Sequence, residues 1–253
     1  MPSGRWQRVR RVTGRWSIEL RGVKREKKRE KGLVALITFY VSRFTFHTNL
    51  PLAATPDEAK SPFMLLFRQK PPADWLPKVL GNLPAVLVDH AHLERKAATS
   101  ALNLEKYRDL FPRVGELNAI AIEELQHFQL VLDLLKRRGI PFGQPYPSPW
   151  IAGLMRAVRN GQRLQVIDHL ICCSLIEGRS CEKFQILAGE LTSIDPELAA
   201  FYSSLVESEG NHYATYLLMA KAIDEAETQR RLDFYLELDA RLIREPNPLP
   251  MLH

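Results

Sequence analysis

The stretch Glu124-Leu125-Gln126-His127 decides the fold, because it has a counterpart later in the chain at Glu209-Gly210-Asn211-His212. Glutamate and histidine three positions apart lie on one face of an α-helix. A carboxylate and an imidazole placed in this way can both bind one metal ion. A metal site of this kind also needs carboxylates from neighbouring helices.

Each motif has a glutamate about thirty residues upstream. Glu94 precedes Glu124 by 30 residues, and Glu177 precedes Glu209 by 32 residues. Two antiparallel helices joined by a short loop produce this spacing, since the chain runs out and back along a bundle. We therefore predict an all-α protein that uses one helix pair twice, as in the ferritin-like four-helix bundles with a di-iron centre.

The residues that share a helix face with the four glutamates are small or apolar. An ionised carboxylate on such a face is costly unless it is paired or binds a metal ion. Four carboxylates that converge also repel one another, and metal cations relieve that repulsion. For any single residue, a solvated glutamate or an ordinary core histidine is the alternative. The predicted metal ligands are Glu94, Glu124, His127, Glu177, Glu209 and His212.

The chain of 253 residues, 45% of them hydrophobic, is long enough for one full core. Residues 1–50 hold 13 Lys or Arg and 3 Asp or Glu, whereas residues 51–253 hold 22 and 26. The net charge of +6 therefore does not indicate that the folded part binds nucleic acid. We predict a basic extension over residues 1–60, disordered or dispensable, and a ferritin-like di-iron domain over residues 61–253.

Two features favour a cytoplasmic protein. The apolar segment 33–41 is too short to span a bilayer as a helix, and the long charged leader before it argues against a signal peptide. The three cysteines fall within one predicted helix, so they form no disulfide framework and suit a reducing compartment. These cysteines are Cys172, Cys173 and Cys181.

Proline, glycine and helical periodicity divide the rest of the chain. Gly139 and Pro141 end one helix, and Asp195-Pro196 starts another. The four predicted bundle helices cover residues 83–110, the segment from Gly115 to 138, 163–189 and 196–223. The other predicted elements are a short lead-in turn within 62–81, a proline-rich crossover over 139–149, a short helix over 150–160 and a last amphipathic helix over 225–244.

Four segments resemble the tRNA 2-methylthio-N6-isopentenyladenosine hydroxylases, over roughly residues 65–253. The Arg-Ser-Cys-Glu context around Glu177 makes the resemblance specific, because a generic ferritin-like bundle does not require it. The metal positions of that family fall on the six ligands already predicted. The segments are Asp89-His90-Ala91-x-x-Glu94-x-Lys96-Ala97-Ala98, Glu123-Glu124-x-Gln126-His127-Phe128, Leu175-Ile176-Glu177-x-Arg179-Ser180-Cys181-Glu182-x-Phe184 and Glu207-Ser208-Glu209-x-x-His212-Tyr213.

This resemblance implies an O2-dependent monooxygenase that hydroxylates the isopentenyl chain of the modified adenosine next to the anticodon of tRNA. It implies two iron ions, with either Glu124 or Glu209 able to bridge them. No flavin or iron–sulfur motif is visible, so a separate reductase is expected to supply electrons. The carboxylates expected to act in catalysis are Glu94, Glu124, Glu177 and Glu209, and the residues expected to tune the ligands are His90, Asp168 and Tyr213.

Basic residues near predicted helix ends are candidates for contacts with tRNA. They would form a basic rim if they lie together at one end of the bundle. Charges that complement helix dipoles explain them equally well. The candidates are Lys136, Arg137, Arg138, Arg156, Arg159 and Arg163.

Two other classes of protein stay open at this point. The same scaffold carries other di-metal proteins, such as ferroxidases and peroxide-reducing enzymes, although the peroxidases usually contain a CxxC centre that this chain lacks. A metal-free helical binding module is the second alternative. It would tolerate substitution of all six predicted ligands.

Overall fold

The computed structural model describes residues 11–12, 15–16 and 65–253. The strands Arg11–Val12 (β1) and Arg15–Trp16 (β2) pair antiparallel, with Arg11 opposite Trp16. Apart from these two strands, the predicted basic extension lies outside the described residues. Contacts divide the chain between Ala59 and Lys60. The independence of a domain over 61–253 stays a prediction.

Every regular element within residues 65–253 is helical. None of these helices is long and apolar enough to cross a lipid bilayer. The elements are Trp75–Leu80 (α1), Leu83–Leu104 (α2), the 3-10 helix Arg108–Arg113, Val114–Arg137 (α3), Pro149–Arg156 (α4), Gln162–Glu190 (α5), Pro196–Ile223 (α6) and Glu225–Leu242 (α7).

Local sequence sets the ends of these helices. The Asp195 carboxylate accepts a hydrogen bond from Leu198 N at 3.1 Å, and Pro196 occupies the first turn of α6. At the end of α3, Gly139 has a φ of +66° and Ile140 N donates to Leu135 O at 2.9 Å. This is a Schellman ending, in which the left-handed residue favours glycine.

The four long helices form the bundle. Helix α2 packs against α3, and α5 packs against α6, while α4 and α7 cover the outside of the second pair. Two helices end clearly earlier than the sequence predicted. The short helix α4 ends at Arg156 rather than at residue 160, and the first long helix ends at Leu104, where a 3-10 helix follows it. Pro112 cannot donate a backbone hydrogen bond, which disfavours continuing the α-helix to residue 110.

The apolar core of this domain consists of two clusters at different levels of the bundle. One includes Leu117, Leu170 and Tyr216, and the other includes Leu87 and Phe184. On each long helix, the predicted metal-binding glutamate lies between residues of the two clusters. The polar ligands therefore form a layer across the middle of an otherwise apolar interior.

A buried ion pair ties the outer helices to the bundle. The side chains of Arg179 on α5 and Asp239 on α7 are fully buried and paired, with Arg179 Nε donating to Asp239 Oδ1 at 3.1 Å. Trp150 Nε1 on α4 donates to the same carboxylate at 3.0 Å. The Arg179 guanidinium also lies 3.8 Å from the ring centroid of Phe67. One carboxylate thus joins three helices.

We expect Asp239→Asn to lower the free energy of unfolding by about 2–4 kcal/mol, because it removes the fully buried carboxylate partner of Arg179 and leaves only the partly exposed Glu182 to pair with that charge. Urea unfolding followed by circular dichroism measures the change. Glu237→Gln on the same helix is the matched control, since Glu237 pairs with Arg68 on the exposed surface and should change little. Equal stability of the Asp239 variant and the control would contradict the assignment.

Candidate metal centre

The six predicted ligands come together in the middle of the bundle. Each of the four long helices contributes one glutamate, and α3 and α6 each add a histidine. All six side chains are buried, the most exposed being His127 at 6%. The structure therefore brings together in space the residues that their spacing in the sequence predicted.

The six residues form two overlapping groups. One holds Glu94 and His127 together with Glu124 and Glu209, and the ligand atoms of the four residues lie within 4.8 Å of one another. The other holds Glu177 and His212 together with the same Glu124 and Glu209. Two groups that share two carboxylates are the arrangement expected of a pair of metal ions bridged by both. The sequence had left open which of the two glutamates bridges.

The two histidines present the same ring nitrogen to the carboxylates. His212 Nδ1 lies 2.7 Å from Glu124 Oε1, and His127 Nδ1 lies 3.6 Å from an oxygen of Glu94 and of Glu209. On the far side of the His212 ring, Nε2 donates to Glu123 Oε2 at 3.0 Å. The Nδ1 lone pair is then free for a metal ion, because the Nε2 proton is held elsewhere.

Electrostatics within the layer are strongly unfavourable without cations. Burial, and then repulsion from the neighbouring carboxylates, raises the pKa of Glu124 and of Glu209 well above the usual value. Burial also raises the pKa of Glu177. For Glu94, burial opposes ionisation, but the charge of His90, the nearby His127 ring and the hydrogen bond with His90 hold the pKa below its usual range. Without metal, three of the four carboxylates favour their protonated forms.

The ligand atoms also lack hydrogen-bond partners within the described residues. Both carboxylate oxygens of Glu124, Oε1 of Glu209, and Nδ1 of both His127 and His212 are buried without one. Such orphaned polar atoms are costly and rare in folded proteins. The oxygen-rich donor set with two imidazoles fits two divalent transition-metal ions. The residues present therefore suit a di-metal site.

One of the three residues expected to tune the ligands contacts a ligand directly. His90 Nε2 forms a hydrogen bond with Glu94 Oε1. Tyr213 follows His212, but its ring lies against Gly178. Its backbone carbonyl accepts a hydrogen bond from Ser174 Oγ at 2.8 Å, and its role in tuning stays a prediction. Asp168 lies elsewhere, because Arg159 and Arg231 both donate to its carboxylate near the start of α5. That ion pairing, rather than the metal centre, explains its burial.

The side of the centre behind His90 is closed by the segment Met251–His253. All three of these residues are buried. Leu252 N donates to Asp89 Oδ2 at 2.9 Å, and the His253 ring stacks on Trp150 with centroids 5.3 Å apart. This closure was not anticipated from the sequence, where residues 245–253 combine three prolines and three apolar residues with Glu245, Asn247 and His253 and show no helical periodicity.

The basic residues predicted to contact tRNA do not lie together. Arg138 pairs with Asp195 at the start of α6, whereas Arg163 donates to Ile223 O at its end. A helix of 28 residues separates these places by about 40 Å. Within the described residues Arg137, Arg138, Arg159 and Arg163 have carboxylate partners. A single rim made of all six is therefore not formed, and their contact with tRNA stays a prediction.

Glu123 and Ser208 were not predicted as site residues. Glu123 binds His212 Nε2, and Ser208 Oγ lies 3.4 Å from His127 Nε2. Each directly precedes a glutamate shared by the two groups, Glu124 or Glu209. That adjacency is the only signal in the sequence. A side chain one position along a helix points about a quarter turn away, so only the packing of the opposite helix brings each residue to its histidine.

In metal-free protein, we expect Glu124→Gln to raise the free energy of unfolding, by an amount that grows between about pH 5 and pH 8. The raised pKa of Glu124 means that the native state holds its proton above about pH 4.5, where the unfolded chain has lost it. This contribution to stability therefore falls as pH rises toward the folded pKa, and glutamine removes the loss. Urea unfolding of both proteins at several pH values, with chelator present, measures the difference. A variant that is less stable than wild type throughout would contradict the electrostatic account.

Comparison with known sequences agrees with this site. Residues 59–253 match the family described as tRNA-(MS[2]IO[6]A)-hydroxylase (MiaE). The tRNA 2-(methylsulfanyl)-N(6)-isopentenyladenosine(37) hydroxylase of Pseudomonas putida is 36% identical over 178 residues, which cover 70% of this chain and 85% of that protein. The protein of the same name from Salmonella typhimurium is 40% identical over 125 residues, covering 49% of this chain and 45% of that protein.

A solved structure also resembles this fold. The Synechococcus protein described as Protein 43 with aldehyde deformylating oxygenase activity superposes with a TM-score of 0.69 at 32% identity, covering 75% of this chain and 96% of its own. The family match takes in every helix of the domain and all six residues of the metal centre. On these grounds the chain belongs to the tRNA-(MS[2]IO[6]A)-hydroxylase (MiaE) family.

Proposed function

We propose that this protein hydroxylates the isopentenyl group of 2-methylthio-N6-isopentenyladenosine in tRNA, next to the anticodon. Family membership supports the reaction, and the metal centre supports its chemistry. The observation that carries the proposal is a cavity of about 750 Å³ that leads from the surface to Glu177. A volume of this size lies within the range of small-molecule sites.

The cavity combines an apolar wall with a polar far end. Near Glu177 the wall consists of Leu93, Ala97 and Ile176, which suit a hydrocarbon chain. Eight residues earlier on α5, about 12 Å along the helix, His169 forms the other end. An aliphatic group can therefore lie beside the metal centre while a polar ring system lies farther out.

His169 is held by a hydrogen bond at that far end. Burial, and next the charge of Lys106, lowers its pKa, so the ring is neutral near pH 7. Its Nδ1 lies 2.8 Å from the Tyr107 hydroxyl oxygen, and in the tautomer that accepts from this hydroxyl the ring proton is on Nε2. An Nε2 donor held in this way suits an acceptor nitrogen of a purine base.

The metal ions that this centre would hold are two irons, one with Glu94 and His127 and the other with Glu177 and His212. Glu124 and Glu209 would bridge them. When bound, the iron pair supplies the redox chemistry by which O2 oxidises an unactivated carbon–hydrogen bond. The protein positions the substrate chain, excludes water with the surrounding apolar layers, and holds the ligand histidines through Glu123 and Ser208. The electrons come from a separate reductase.

The other di-metal functions are less well supported. The matched family and both curated relatives are named as hydroxylases of a tRNA nucleoside. An iron-storage or peroxide-reducing role would not require a long apolar cavity ending at a metal ligand. Modification of the nucleoside is therefore the quantity to measure.

The direct test uses iron-loaded protein that is reduced without oxygen and then exposed to O2 with tRNA carrying the isopentenylated nucleoside. Mass spectrometry of the digested nucleosides should show 2-methylthio-N6-isopentenyladenosine heavier by one oxygen atom. A parallel reaction with a fatty aldehyde tests the activity named for the Synechococcus protein. Unaltered nucleoside, with reduction of the iron verified, would overturn the proposed function.

We expect Glu124→Gln to abolish loading of both iron ions, because Glu124 belongs to both ligand groups. Elemental analysis after anaerobic iron loading and desalting measures the metal content. Glu116→Gln is the matched control on the same helix, since Glu116 pairs with Arg113 on the surface. A Glu124 variant that retains two irons per chain would show that this carboxylate is not a bridging ligand.

We expect Ala97→Phe to lower kcat/KM for the modified nucleoside by roughly tenfold to a hundredfold while leaving iron content unchanged. The added ring occupies the cavity beside the metal centre, and steric conflict there is worth about 1–3 kcal/mol. Thr99 also lines the cavity, but it is exposed and lies two residues farther from Glu94 along α2 than Ala97 does. Thr99→Phe should therefore have a smaller effect. Unchanged kinetics for Ala97→Phe would show that the substrate does not use this cavity.

A further inference from the structure

The mouth of the cavity is basic, whereas its interior is apolar. Arg95, Lys96 and Lys106 contribute to its lining, and all three are exposed. The only acidic residue in the lining is Glu177, which belongs to the metal centre. A ligand that carries negative charge outside the cavity and an apolar group inside it therefore fits this surface.

Neither Lys96 nor Lys106 forms a direct ion pair within the described residues. Within residues 65–253 the only lysine with a carboxylate within 4.0 Å is Lys78, and Lys96 acts on the buried Asp89 carboxylate only at longer range. Lys106 instead lies 5.1 Å from the ring centroid of Tyr107. This contrasts with Arg137, Arg138 and Arg159, which are paired with acidic residues elsewhere on the surface. Unpaired cations beside a cavity are available to an anionic ligand.

The lysines also lie along the length of the cavity. Lys96 is two residues after the metal ligand Glu94, and Lys106 directly precedes Tyr107, which binds His169 at the opposite end. From Lys96 to the end of α2 at Leu104 the helix rises about 12 Å. Positive charge therefore lies both near the Glu94 end and near the His169 end of the cavity. This distribution suits an extended polyanion.

We infer that Lys96 and Lys106, with Arg95 beside them, bind phosphate groups of the RNA strand on either side of the nucleoside that enters the cavity. This inference rests on the proposed function and names the surface that receives the tRNA. It places the tRNA contact at the cavity mouth rather than at the end of α3, where Lys136 and Arg137 lie. A neutral substrate such as an aldehyde would gain nothing from these charges.

The test compares the double variant Lys96→Gln/Lys106→Gln with the matched double variant Lys70→Gln/Arg241→Gln, which removes two exposed cations that do not line the cavity. Binding of tRNA that carries the isopentenylated nucleoside is measured as a function of salt concentration for both and for wild type. Two lost phosphate contacts should weaken binding by roughly tenfold at about 0.15 M salt and reduce the slope of log K against log[salt] by about 1.4. The control variant should match wild type.

A second measurement distinguishes a role of the two lysines in tRNA binding from a structural role. At about pH 8, where His169 stays neutral even without the charge of Lys106, the Lys96/Lys106 variant should hydroxylate the free modified nucleoside as fast as wild type, since a free nucleoside carries no phosphate. Loss of activity on the free nucleoside would assign the lysines a structural role and overturn the inference, as would a salt slope equal to that of wild type. Wild-type protein that binds tRNA through these lysines but leaves the nucleoside unaltered would contradict the proposed function and not this surface.

Discussion

The repulsion among four buried carboxylates is the constraint on which the rest of the structure depends. Glu94, Glu124, Glu177 and Glu209 occupy one layer of the bundle, and three of them are driven toward their protonated forms there. Apolar clusters above and below the layer keep water out. Folding of the metal-free chain therefore carries an electrostatic cost, which two cations would remove.

The carboxylate layer is closed on one face and accessible on the other. On one side, His90 contacts Glu94, and the segment Met251–His253 covers it with buried side chains. On the other side, the cavity reaches Glu177 and opens through a basic mouth. Closure on one face and access on the other restrict a substrate to a single approach. The buried pair of Arg179 and Asp239 fastens the outer helices α4 and α7 to the closed face.

The sequence predicted the bundle helices and the convergence of the six candidate ligands closely, because both follow from regular spacing. Glu and His three apart, and a second Glu about thirty residues upstream, need only helical geometry to meet in space. The largest misjudged boundary, at Leu104, falls where a 3-10 helix replaces the last α-turns. There the buried contacts of Tyr107 and Leu110 outweigh local periodicity.

Features that depend on contacts between distant segments could not be predicted in the same way. Asp168 was expected to tune the metal ligands, yet its carboxylate accepts hydrogen bonds from Arg231 on α7 instead. The cavity requires α2, α4 and α5 to be placed together, and no single segment reveals it. Glu123 acquires its role only through His212 on the facing helix.

Anomalous diffraction from crystals of iron-loaded protein tests the central claim most directly. The account predicts two iron peaks per chain in the middle of the bundle, both within coordination distance of Glu124 and Glu209. One peak should also contact Glu94 and His127, and the other Glu177 and His212. A single peak, or two peaks with no shared carboxylate, would contradict it.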